Sequence, residues 1–396
     1  MPVSWTLLIV LALAVAGYLA TRSRAIALAS GDIRRLHSRP SYYGWNAALL
    51  TALPALFLIA LWRFFQPGAD TLLVSAAALV LAAAGLGFAL SRTAPGFRAR
   101  NAVESMVKGL LILCSSIAIL TTAGIVLSML FETGHFFRQY PWQEYFFGTT
   151  WSPRFGGGSQ LGILPLVWGT LYISVIALAV SVPIGLFAAI YMSEYASPRL
   201  RGIAKPAIEV LAGIPTIVYG LFALITVGPL LRDWFAQPLG LGSSGSSVMT
   251  AGLVMGIMLI PFVSSLSDDI INAVPQSLRD GALGLGSTHS ETIRNVVLPA
   301  ALPGIVGAVL LAASRAIGET MIVVMGAGAA AQMGLNPFEA MTTITVKIVS
   351  QLTGDTDFAA PETLVAFALG LTLFVVTLGL NIIALYVVRK YREQYE

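Results

Sequence analysis

Two charged side chains inside an apolar run are the first candidates for chemistry in this sequence. Arg315 and Glu319 sit near the middle of Ala301–Ala327. A charge at the centre of a bilayer costs from ~3 to over 10 kcal/mol, so such residues need a wet cavity, a partner, or both. At helical spacing Gly304, Ala308, Ala312, Arg315 and Glu319 share one face. Small residues admit a neighbouring helix, so this face points into a bundle, with Val306, Val309, Leu310 and Ile317 nearer the lipid. Two readings stay open. In one, Arg315 and Glu319 form an i,i+4 ion pair, in the less favourable order. In the other, Arg315 contacts an anion, because guanidinium matches oxyanion geometry. Glu319 then orients the Arg, or accepts a hydrogen bond from a protonated oxyanion, which favours phosphate over sulfate.

The second signal is the loop at 271–300, which reads as two short helices at an angle. Pro275 opens the first at a position where its missing N–H is harmless, and Gln276–Leu283 continues it. Gly284 and Gly286 supply left-handed backbone to end it. Thr288-His-Ser-Glu291 fits a capping box for a second helix that runs to Leu298-Pro299. A compact helix–glycine–helix knob of this kind suits transmission of a push from a soluble partner. A third signal is Pro215 within Ala207–Leu231. An interior proline kinks a helix, and discontinuous helices accompany transport pathways, so Pro215, Thr216 and Tyr219 are candidates to line or gate one.

Several chemistries are excluded or disfavoured. There is no GxxxxGK[ST] anywhere, so this chain forms no P-loop ATP site. His37, His135 and His289 fall in different loops, and the single Cys114 lies in an apolar run, so neither a histidine cluster nor a thiolate metal site is expected. No catalytic cluster of His, Ser or carboxylate appears at a membrane face. Neither the glycine run Gly156–Gly158 nor the flexible stretch Gly240–Ser247 is a phosphate-cradling loop, and each is expected in a solvent loop.

The elements that position these residues are membrane helices. Of the 396 residues, 57% are hydrophobic and only 11% charged, against about 25% charged in soluble domains. Nine apolar runs near bilayer length lie near 4–20, 46–65, 71–90, 107–131, 163–191, 207–231, 248–270, 301–327 and 364–388. Met1–Ser4 has no basic residue whereas Arg22 and Arg24 follow the first run, which predicts a retained helix and not a cleaved signal. The loop Lys and Arg residues fall on alternate loops except for Arg63, Arg138, Arg154, Arg232 and Lys347. That asymmetry puts the amino end outside and the carboxyl tail in the cytoplasm. Spread over five loops, the basic residues form no nucleic-acid patch. The chain divides near the Arg-, Gly- and Pro-containing linker Ser91–Asn101. Residues 1–101 hold three helices, including a short turn at Gln66–Asp70, and residues 102–396 hold six.

Asp280-Gly281-Ala282, then Gly286, then Val296-Val297-Leu298-Pro299 resembles the EAA loop of ABC-importer permeases in spacing. Asp replaces Glu, Gly replaces the first Ala, and Val replaces Ile. Arg315-Ala-Ile-Gly-Glu319-Thr320 and Ala212-Gly-Ile-Pro-Thr-Ile-Val-Tyr-Gly220 resemble motifs of phosphate-specific importer permeases, of the PstC type. The resemblance covers roughly 104–396 and leaves out the first three runs. It implies an all-α, polytopic six-helix ABC-importer permease core preceded by three additional transmembrane helices, located in the bacterial inner membrane. It implies a PstA-like second permease, a PstB-like ATPase dimer that uses the ATP, and a PstS-like external phosphate-binding protein. This chain binds no cofactor itself. Asp280, Gly281, Ala282, Gly286, Val296, Leu298 and Pro299 would couple to the ATPase; Arg315, Glu319, Thr320, Thr216 and Tyr219 would line the pathway. The neighbouring alternatives are an importer of sulfate, molybdate or phosphonate, a stand-alone secondary transporter or channel, and a membrane enzyme.

Overall fold

The computed structural model describes residues 3–29, 33–66, 72–154, 158–354 and 360–392. Residues 1–2, 67–70 of the expected short turn and Gly156–Gly157 of the glycine run lie outside that set, as does the side chain of Arg392 in the carboxyl tail. In chain order the helices are α1 Val3–Leu28, α2 Pro40–Phe65, α3 Leu72–Ser91, α4 Ala99–Gln139, α5 Trp142–Phe147, α6 Leu164–Ile190, α7 Pro198–Gly213, α8 Thr216–Phe222, α9 Gly228–Leu231 and α10 Val248–Ala273. They continue as α11 Gln276–Gly284, α12 His289–Thr292, α13 Leu298–Ile317, α14 Met321–Gly326, α15 Ile344–Gly354 and α16 Pro361–Arg392. Wide π turns extend four of them, at Tyr191–Tyr195, Ala223–Val227, Arg232–Ala236 and Ile293–Val297. The described residues hold one two-stranded hairpin, Trp151–Ser152 with Gln160–Leu161.

Nine of the described helical stretches are long and apolar enough to cross a membrane. Seven coincide with apolar runs of the sequence, the first reaching Leu28 and the fourth spanning Ala99–Gln139, beyond the ends of their runs. In the other two, the sixth begins only at Thr216 and the eighth ends at Ile317, because each of those runs is broken; the eighth also starts earlier, at His289. Pro215 disfavours helical backbone at the residue before it, and Ile214 is accordingly extended at φ −71°, ψ 129°. The expected kink is a complete interruption. The run 301–327 is likewise interrupted at residues 318–320, between α13 and α14.

The chain forms two compact units, residues 1–123 and 124–396, divided inside α4. In the first, α1, α2 and α3 pack through small residues; Ala47, Ala55, Ala78 and Ala82 are fully buried. A Cβ on Gly85 would stand 2.2 Å from the Leu50 carbonyl oxygen. Buried hydroxyls return their hydrogen bonds to the helix, as Thr51 does to the Ala47 carbonyl at 2.7 Å. Tyr43 Oη reaches the carbonyls of Ala94, Pro95 and Phe97 at 3.0–3.2 Å and holds the following linker.

In the second unit α10 is the central pillar, with fifteen of its 26 residues buried. It runs alongside α6 in the same direction, and the two approach through Gly252, Gly256 and Gly185. This is the small-residue packing that substitutes for a hydrophobic drive between helices in lipid. Ser247 caps α10 by accepting the Thr250 N–H at 3.2 Å. The Gly256 contact gives a direct test. A Cβ there would lie 2.8 Å from Val180 Cβ, so Gly256→Val is expected to cost about 1–3 kcal/mol by overpacking. The measurement is the Tm of the detergent-purified protein; an unchanged Tm contradicts the tight α6–α10 contact.

Candidate functional site

The knob is built as its sequence indicates, with two differences. Helix α11 starts after Pro275 and closes in a Schellman motif: Gly286 N–H donates to the Leu283 carbonyl at 3.0 Å and Ser287 N–H to that of Ala282 at 3.2 Å. Gly286 alone takes the left-handed conformation, at φ +90°, while Gly284 remains helical. The capping box forms, with Glu291 N–H donating to Thr288 Oγ1 at 3.3 Å and Thr288 N–H to Glu291 Oε2 at 2.8 Å. The second helix does not stop at Pro299. It continues through the π turn Ile293–Val297 into α13, with Pro299 two residues past that turn. His289–Ile317 is therefore one rod, and Arg315 sits about 39 Å from its knob end at 1.5 Å per residue.

Three leucines stand out on the otherwise largely polar surface of the knob. Leu285 is 91% exposed, and Leu278 and Leu283 are exposed beside it. A Cβ on Gly281 or Gly284 would meet nothing within 4 Å. Asp280 is exposed and accepts from Gln276 Nε2 at 3.1 Å, whereas Val296, Leu298 and Pro299 are half-buried along the rod.

What anchors the knob was not legible in the sequence. Glu194, in the π turn that ends α6, is nearly buried. It pairs with Arg279 of α11 and lies 4.0 Å from His289 of α12. Arg279 also donates to the Ile271 carbonyl at 2.7 Å, and Tyr195 packs edge-on against the His289 ring. One carboxylate thus faces both knob helices. A second anchor is Asp268 of α10, fully buried. It accepts from Arg201 Nη2 at 3.0 and 3.2 Å, from Lys205 Nζ at 2.9 Å and from Asn272 Nδ2 at 3.0 Å. Arg201 and Lys205 are one turn apart on α7, so the pair grips α10. Hydrogen bonds to Asp268 and Asp269 raise the Lys205 ammonium above its ordinary pKa.

The two broken helices meet each other. A Cβ on Gly220 of α8 would strike the Met321 carbonyl of α14 at 2.9 Å. Each break is closed internally. Tyr219 is buried, and its Oη donates across the first break to the Leu211 carbonyl at 2.8 Å. Glu319 is buried at the second break. Its Oε1 accepts the N–H groups of Met321 at 3.0 Å and Ile322 at 3.4 Å, which caps α14, and its own carbonyl accepts from Thr345 of α15 at 2.8 Å. Thr216 and Thr320 are half-buried at the starts of α8 and α14.

These placements separate Arg315 from Glu319. The Gly318 break carries Glu319 off the Arg315 face, so the i,i+4 pair expected of one unbroken helix does not form, and Glu319 does not orient the guanidinium. Ile317, expected toward lipid, is buried. Arg315 instead lies over the Phe262 ring at 4.3 Å, a cation–π contact. Among the described residues it forms no ion pair. It lines a cavity of about 510 Å³ between α7, α10 and α13, together with Glu209, Ala212, Phe262 and Ser265. Of the five residues expected along a pathway, only Arg315 lines this cavity.

The Glu194 anchor has a measurable consequence. Removing one partner of a buried ion pair costs ~3–5 kcal/mol. With Glu194→Ala, amide exchange over residues 276–297 is expected to accelerate by at least about 100-fold, while α10 keeps its protection. Unchanged exchange in the knob contradicts the clamp.

Residues 181–393 match the family described as the binding-protein-dependent transport system inner membrane component. Residues 7–78, which the sequence motifs left without kin, match a family described as a phosphate ATP-binding cassette transporter. The chain is 38% identical over 252 residues to phosphate transport system permease protein PstC 1 of Mycobacterium tuberculosis, covering 59% of this chain and 74% of that one. It is 35% identical over 256 residues to the PstC of Mesorhizobium japonicum, covering 61% and 76%. With the PstC of Haemophilus influenzae it shares 30% over 306 residues, covering 74% and 95%. The fold is shared with a bacterial ABC transporter involved in import of the acidic polysaccharide alginate, at TM-score 0.51 and 14% identity, over 72% of this chain and 98% of that one. The chain belongs to the family of binding-protein-dependent transport system inner membrane components.

Proposed function

We propose that this chain is a permease subunit of an ATP-driven phosphate importer. The observation that carries the reading is Arg315: an exposed guanidinium in an open, otherwise largely apolar cavity of the membrane-spanning unit, with no carboxylate paired to it among the described residues. Keeping such a charge is costly, and a tetrahedral oxyanion is the ligand that its geometry fits. The PstC relatives are phosphate permeases by name, which supports phosphate over other oxyanions.

A permease of this family works with another permease, an ATPase and a binding protein. In the full reading these are a PstA-like subunit, a PstB-like ATPase dimer and a PstS-like phosphate-binding protein. Residues 102–396 act as the permease domain. The Lys and Arg asymmetry supports an orientation with the amino end outside, and with the knob and carboxyl tail in the cytoplasm. ATP is bound and hydrolysed by the partner, and this chain binds no cofactor. Exposed Leu278, Leu283 and Leu285, around Asp280, Gly281 and Ala282, offer the ATPase an apolar face. Its closure would press on the knob, and the rod would carry that motion to Arg315.

The test uses the assembled complex in vesicles, with phosphate delivered on its binding protein. An ATPase and a second permease are expected to co-purify with the wild type. Arg315→Ala is expected to reduce phosphate uptake by at least tenfold while the subunits still co-purify. Full uptake by that variant overturns the role of Arg315. ATP-dependent uptake of sulfate or molybdate in place of phosphate overturns the substrate.

A further inference from the structure

The cavity that holds Arg315 contains a second charge, from a different helix. Glu209 of α7 lines it opposite α13. Among the described residues neither Arg315 nor Glu209 belongs to an ion pair, so their charged atoms stand more than 4.0 Å apart. Two opposite charges that share a cavity and do not close on each other leave room between them for a third group. Glu319, the carboxylate nearest Arg315 in sequence, is occupied in capping α14.

The walls carrying the two charges are fixed independently. Glu209 rides on α7, which Arg201 and Lys205 tie to Asp268 of α10. Arg315 ends the rod that starts in the knob. Phe262 and Ser265 of α10 form the wall between them, with the Phe262 ring under the guanidinium. Stacking on a ring occupies the face of the guanidinium and leaves its in-plane N–H donors for another acceptor. A cavity of about 510 Å³ falls in the usual range for a small-molecule site.

We propose that Glu209 and Arg315 together form a site for a protonated tetrahedral oxyanion, with Glu209 as the residue that selects it. The guanidinium donates to the unprotonated oxygens, and the Glu209 carboxylate accepts the anion's O–H. An ionised carboxylate is an acceptor only, so it rewards an anion that still carries a proton. A fully deprotonated anion presents only oxygens to it and is repelled. Discrimination by a repulsive element reaches further than discrimination by attraction alone. At neutral pH phosphate and arsenate keep a proton and sulfate does not.

This inference rests on the transport reading above, and the experiment separates the two. The complete complex is reconstituted in vesicles and given phosphate pre-bound to its binding protein. Sulfate or arsenate is then added on both sides as an inhibitor of uptake. The quantity read is the ratio of half-inhibitory concentrations, sulfate over arsenate, which does not depend on the absolute uptake rate of a variant. In the wild type this ratio is expected to be large. In Glu209→Gln, which removes the negative charge and keeps the shape, it is expected to fall at least tenfold. Glu209→Asp, which keeps a carboxylate, is expected to restore most of it and serves if the glutamine variant does not assemble. An unaltered ratio in Glu209→Gln overturns the selectivity role, as does equal loss in the Asp and Gln variants. Absence of phosphate uptake in the wild type instead overturns the transport reading itself.

Discussion

A helix interrupted inside a membrane must satisfy its own backbone, because the hydrocarbon offers no water to do so. That constraint shapes the centre of this protein. Both interruptions are closed by a side chain from the interrupted segment: the Tyr219 hydroxyl at one and the Glu319 carboxylate at the other. Thr345 of α15 adds a third bond at the second break. With these groups committed to the backbone, Tyr219 and Glu319 are drawn into the core. Arg315, one residue pair before the break, is left at the end of its helix and turned toward the cavity.

The rest of the second unit reads as a set of attachments to the pillar α10. Glycine contacts bind α6 to it, Asp268 binds α7 to it, and Glu194 at the end of α6 holds the knob. Each ionic attachment joins two elements that differ in what they carry. The α7 attachment positions Glu209, and the knob attachment sits at the start of the rod that ends in Arg315. The cavity therefore has one wall held by the pillar and one wall at the end of a lever.

The sequence was legible where local rules decide the outcome. The capping box at Thr288–Glu291, the left-handed Gly286 and the nine apolar stretches follow from propensity, turn chemistry and hydropathy. Arg315 was legible because a charge in an apolar run is rare. Glu319 was misread because the face argument assumed an unbroken helix, and the Gly318 interruption depends on Thr345 and on packing against α8, both distant in sequence. Pro215 announced a disturbance but not its degree, which the extended backbone at Ile214 decides. Glu194, Asp268 and Glu209 left no local signal, since each matters through partners some 60 to 106 residues away. An alternative hint existed for one of them: Arg201 and Lys205 are spaced one turn apart on an otherwise apolar-faced helix, the pattern of a grip seeking a carboxylate.

The Asp268 cluster also bears on how the protein meets changes in ionic strength. Raising salt from 0.1 to 1 M shortens the screening length from ~10 to ~3 Å. An exposed pair such as Arg100–Glu104, with side chains 63% and 55% exposed, is weakened by such a change. Asp268 has no exposed surface, and its partners, 33% and 27% exposed, sit at 2.9–3.2 Å, so screening weakens this cluster less. A subunit whose cavity wall is fixed by charges thus holds that wall more firmly through swings of salt, although the cargo it handles is itself an ion.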